Sequence, residues 1–90
     1  MTSLTGALRP CQAGSGYEGE LGNHVLAGFY ADHRLSIDAD GTWVGTLLKR
    51  GLGRFVGPLV LDGVTYEAVA LPVSYGMRRG WAITLHRVVT

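Results

Sequence analysis

From residue 17 onward, apolar and polar positions alternate in short runs. Tyr17, Gly19 and Leu21 fall to one side and Glu18 and Glu20 to the other, the period of two that a half-exposed strand requires. Leu35 and Ile37 likewise alternate with Arg34, Ser36 and Asp38, and Asp38-Ala39-Asp40-Gly41 then supplies turn chemistry. Trp43-Val44-Gly45-Thr46-Leu47-Leu48 is apolar on both faces, which suits a strand covered on two sides or lying at an interface. Residues 55–61 and 64–73 flank Asp62-Gly63, the two-residue signal of a type I′ hairpin. Pro72 ends ladder donation near the close of the second arm, and Ser74 to Gly80 reads as a loop. In residues 81–89, Trp81, Ile83 and Leu85 share one face, with Ala82, Thr84 and His86 on the other. Only residues 24–31 are ambiguous: Val25, Leu26 and Phe29 fit one helical face, while Gly28 and the aromatics suit a strand. A strand is favoured there, with one short helix as the alternative.

Strands recurring about every ten residues predict an all-β, mainly antiparallel fold, a small barrel or sandwich of five to six strands. Residues 1–16 carry no periodicity, and Gly14-Ser15-Gly16 leads into the first alternating run. They are expected to form a flexible N-terminal arm, with residues 17–90 as a single β domain.

Composition adds one constraint. Of the 90 residues, 47% are hydrophobic but only 17% charged, against a usual charged share of about 25%. A domain this small hides only about 60–65% of its unfolded surface, so a surface short of charge implies apolar area covered by another subunit or a protein partner. No run approaches the roughly 20 apolar residues of a membrane-spanning helix, and no membrane partner is expected. A single cysteine, Cys11, excludes an internal disulfide and suits a reducing, cytoplasmic setting.

The net charge is +1, but it is unevenly spread. Residues 1–45 hold five acids and two bases; residues 46–90 hold two acids and six bases. Four of those bases with Lys49 form two clusters: Lys49, Arg50 and Arg54 in a glycine-rich loop, and Arg78 and Arg79 between Tyr75 and Trp81. Basic loops beside strand aromatics are the pattern with which small barrels hold nucleic acid, the guanidinium groups meeting phosphate and the rings stacking on bases.

Other motifs carry less. Asp38-Ala39-Asp40-Gly41 starts like a calcium loop, yet no closing glutamate follows. His24, His33 and His86 have no metal-ligand spacing, and no serine sits in a nucleophile elbow. Neither a metal nor a cofactor is expected. The reading is a non-enzymatic β module acting in protein–protein interaction or homo-oligomeric assembly, with Trp43, Leu47, Phe55, Val69 and Leu71 as core or interface residues. The alternative is nucleic-acid binding through Lys49, Arg50, Arg54, Arg78 and Arg79 with Tyr75 or Trp81 stacking. A further alternative is a small ligand in a barrel or subunit-interface pocket.

Overall fold

Every second residue of each alternating run turns toward a common axis. In the computed structural model, which describes residues 3–11 and 16–88, eight antiparallel strands follow one another round that axis. They are β1 (Ser3–Pro10), β2 (Tyr17–Leu21), β3 (His24–Ala31), β4 (Arg34–Ala39), β5 (Thr42–Lys49), β6 (Phe55–Leu61), β7 (Val64–Tyr75) and β8 (Arg78–Arg87). Each pairs with its successor, and β8 pairs back onto β1, closing an up-and-down barrel. Closure removes both sheet edges, which would otherwise offer unpaired backbone groups to other chains.

An eight-stranded barrel is just wide enough for its own side chains to fill. Here Leu8, Leu26, Leu35, Ile37, Leu47 and Leu85, each at most 2% exposed, occupy the axis. No polar or charged residue is buried among the described residues. Around the filled lumen, concave space lies at the barrel mouth and along one seam. No helix of the described residues is long and apolar enough to cross a membrane.

The all-β antiparallel expectation holds, but the strand count is eight rather than five to six, and residues 24–31 form a strand, not a short helix. Both differences have local causes. β3 pairs along its length with β2 and β4, so ladder hydrogen bonds and burial of Leu26 decide against the helical face of Val25 and Phe29. Residues 3–10, placed by sequence in a flexible arm, are instead β1; Leu4 and Leu8 point inward there, with Gly6 between them hiding the alternation. Residues 12–15 of that expected arm lie outside the described residues. The 74–80 loop is also shorter than expected: the β7–β8 ladder runs to Tyr75↔Arg78, leaving Gly76-Met77 as the turn. Pro72 is tolerated because β6 stops pairing with β7 at Ala70, so the chain beyond has a free side.

Two glycines set how tightly β1 is gripped. A Cβ on Gly19 of β2 would overlap the carbonyl oxygen of Ala7, and one on Gly80 of β8 would overlap that of Leu8. The neighbours of β1 thus each lack a side chain where they press on its backbone.

Candidate functional site

Alternating strand direction sorts the connections onto two ends. The β1–β2, β3–β4, β5–β6 and β7–β8 connections lie at one end, and the three others lie with Ser3 and Arg87 at the opposite end. The two basic clusters, separated by the up-down pair β6 and β7, therefore arrive together. Six cations, Arg34, Lys49, Arg50, Arg54, Arg78 and Arg79, sit in or beside the first set of connections; Arg9 stands one residue inside the end of β1 there, and only Arg87 lies at the opposite end. Asp32 is the one carboxylate in those described connections. No carboxylate lies within ion-pair distance of the six cations among the described residues. Arg9, by contrast, is held by Glu20 at 2.8 Å.

The mouth at this end is floored by aromatic rings. Trp81, only 7% exposed, meets Tyr17 edge-on at 4.7 Å between centroids and Phe55 at 5.7 Å. Tyr30 lies above them, 6.1 Å from Trp81 with the ring planes 34° apart. Lys49 and Arg79 rise beside this floor, and with Gly53 and Pro72 they bound a hollow of ≈ 210 Å³. That is the liquid volume of about seven waters, room for one ring system or one charged headgroup fragment.

The structure separates the residues that the sequence singled out. Lys49, Arg79 and Trp81 meet at the mouth, with Arg50 and Arg54 in the adjoining loop. Arg78 spends its guanidinium on the carbonyl oxygen of Cys11, 2.6 Å away, tying β8 to the end of β1. Tyr75 points away from the mouth, its ring lying against Gly80. Leu47 and Phe55 are core, whereas Trp43, Val69 and Leu71 stand on the outer wall. Trp81 is largely covered, so the ring offered to a ligand is Tyr30, 44% exposed, which sequence reasoning missed. Its position two residues before Asp32-His33, in phase with Leu26 and Gly28, was the available signal.

The opposite end is organised by His24. Its Nδ1 lies 2.7 Å from Asp40 Oδ2 and its Nε2 lies 3.1 Å from Asp62 Oδ2, so one imidazole joins the β4–β5 and β6–β7 turns. Asp40 also accepts the backbone N–H of Val25 at 2.9 Å. Only the imidazolium can donate from both nitrogens. Asp40 and Asp62 accordingly raise the His24 pKa, while the Val25 N–H and His24 hold that of Asp40 below its ordinary value.

Beside this cluster the β5–β6 ladder is short, reduced to Leu48↔Val56 and Lys49↔Phe55. Pro58 has no N–H to give, and a bulge where Ile37↔Gly45 steps to Asp38↔Trp43 turns β5 away. An open, mostly apolar groove of ≈ 680 Å³ follows the seam, with Trp43, Val60 and His24 among its walls.

His24 makes stability pH-dependent in a stated direction. Because its pKa is raised on folding, its contribution is complete below the ordinary histidine value of 6.5 and is lost as pH climbs through the raised value. Asp40 acts oppositely: its contribution is present above 3.8 and is lost as pH falls through its lowered folded value. The pairing is thus strongest between those limits. Urea titrations should show His24→Gln losing less stability than wild type between pH 6 and pH 9; equal losses would refute the assignment.

No family model matches this chain. Neither does any curated protein or solved structure. No group of three or more His, Cys, Asp or Glu side chains suited to a metal ion occurs among the described residues. The distinctive chemistry is the cationic, aromatic mouth.

Proposed function

We propose that this chain is a non-enzymatic binding module that engages a polyanion end-on, through the rim formed by Lys49, Arg50, Arg54 and Arg79 around the Tyr30 and Trp81 mouth. One observation carries the reading: cations from two separate stretches of sequence gather at one end without carboxylate partners. Leaving like charges together destabilises an isolated domain, and phosphate groups would relieve that repulsion. The filled lumen directs any ligand to the mouth rather than the barrel interior. Single-stranded nucleic acid and an anionic lipid surface both offer the required phosphates. The single cysteine, Cys11, unpaired in the structure, is compatible with a cytoplasmic setting.

The test is binding of a labelled single-stranded oligonucleotide and of phosphatidylserine vesicles at low salt. Affinity should fall steeply with added salt. For the oligonucleotide, Lys49→Ala with Arg79→Ala should flatten the log–log slope by about 1.4, roughly 0.7 per cation on a single strand. Binding to neither probe sinks the reading.

A second reading, homo-oligomeric assembly, rests on the outer wall. Across β5, β6, β7, β8 and β1 the outward row runs Leu48, Val56, Val69, Thr84, Thr5 without a charge, and Leu71, Ala82, Ala7 run parallel to it. A second copy or another protein laid on this wall would cover apolar area that the composition leaves in excess. Sedimentation velocity at micromolar concentration reads this directly; a monomer throughout removes the self-association.

A further inference from the structure

The loops that carry the cations also carry two aliphatic side chains standing wholly in solvent. Leu52 is 100% exposed and Met77 101%, and each lies at the tip of its connection, with arginine one or two residues away, Arg50 and Arg54 about Leu52 and Arg78 after Met77. The placement of Leu52 is built in. Gly51 and Gly53 both take positive φ, at 69° and 79°, the Gly53 N–H donates to the Gly51 carbonyl at 2.6 Å, and the Arg50 N–H donates to that of Arg54 at 2.6 Å. This double closure is a tight γ-type turn inside a wider one, and it holds the side chain of Leu52 outward at the apex.

The two tips belong to neighbouring loops. A Cβ on Gly53 would stand 3.4 Å from Pro72 of β7, so the β5–β6 loop leans toward the β7–β8 hairpin that ends in Met77. Phe29 and Tyr30, 55% and 44% exposed, stand at the same end on β3. Apolar tips, cations beside them in the same loops and aromatic rings at the margin match the layers of a membrane surface: acyl chains and glycerol, then phosphates, then water.

We infer that this end docks on an anionic lipid bilayer, with Leu52 and Met77 dipping between the headgroups while Lys49, Arg50, Arg54 and Arg79 rest at the phosphate plane. The inference builds on the polyanion reading above and selects its partner. A nucleic-acid strand satisfies the cations but offers no apolar layer to receive two aliphatic side chains at loop apices. An anionic bilayer takes both, and its negative surface is complementary to an end whose described connections hold one carboxylate, Asp32. That the chain has no apolar helix long enough to span a bilayer concerns crossing and leaves surface docking open.

Co-sedimentation of the full chain with vesicles of equimolar phosphatidylserine and phosphatidylcholine, against pure phosphatidylcholine, tests it. Wild type should pellet with the anionic vesicles only. Leu52→Ser with Met77→Ser should lower the partition about tenfold, the loss of two partly inserted side chains, and leave oligonucleotide binding unchanged. Arg50→Ala and Arg54→Ala should each lower vesicle binding about fivefold. Because neither tip side chain is covered by the barrel, the tip variant should keep the wild-type circular dichroism spectrum. Oligonucleotide binding without vesicle binding overturns the lipid assignment and leaves the polyanion reading standing. Vesicle binding indifferent to the tip variant overturns the insertion, and binding to neither probe overturns both proposals.

Discussion

Gly19→Ala is expected to destabilise the barrel by about 3 kcal/mol or more, the upper range for forcing atoms into a packed site. The added Cβ would overlap a backbone carbonyl oxygen, that of Ala7, so no side-chain rotation relieves it. β1 and β2 must separate, breaking the Leu8↔Gly19 and Ala7↔Glu20 pairings and loosening Leu8, which is fully buried. A domain of this length has about 5–13 kcal/mol of total stability. With a urea slope of about 1–1.5 kcal/mol/M for a small domain, the midpoint should drop by about 2–3 M. Gly22→Ala is the control. Gly22, unlike Gly19, has positive φ, 59°, and nothing lies near its missing Cβ, so its cost should stay near the 1–2 kcal/mol of a left-handed residue. Equal midpoints for the two variants would show that close approach to β1 does not matter.

Trp81→Ala should cost about 3–5 kcal/mol. Trp81 contacts the axial core below and packs against Tyr17, Phe55 and Tyr30 at the mouth, and aromatic pairs add roughly 0.5–1.5 kcal/mol each beyond their buried area. For a domain of this size each kcal/mol moves Tm by about 4–8 °C, so a fall of at least about 12 °C is expected. Trp81→Phe keeps a ring and should fall by much less. Fluorescence provides an independent check, since the other tryptophan, Trp43, is 63% exposed. Trp81→Ala should remove the blue-shifted emission and leave a solvent-like spectrum. A Tm unchanged within about 2 °C would mean that the aromatic floor does not support the barrel.

The turns were the most legible part of the fold. Asp40-Gly41 and Asp62-Gly63 both adopt positive φ at their two positions, as type I′ chemistry requires. Asp32-His33 does the same at 52° and 62°, but without a glycine the pair carries no type I′ signal. β1 was hidden for a different reason. Its inward positions are Leu4, Gly6 and Leu8, and a glycine between two leucines shows no alternation.

The doubly apolar run of β5 resolves into an inward Leu47 and an outward Trp43 and Leu48, so one face is core and the other open wall. Gathering of the basic loops depends on topology, which composition does not carry. Two strands intervene between them in any case, and they bring the loops to one end only where each connection reverses the chain direction; a crossover into a parallel strand would send them apart. Tyr30 was missed because its role follows from that same gathering.

The pairing of β1 with β8 also means that the barrel has no natural first strand. Ser3 faces His86 and Leu4 faces Leu85 in register, so a short linker would join the two ends without disturbing a ladder. The circle formed in this way could be reopened at Gly22-Asn23, a turn with open space around Gly22, and every strand would keep both neighbours. Such a circular permutant would carry its new ends, and anything fused to them, on the side facing away from the cationic mouth.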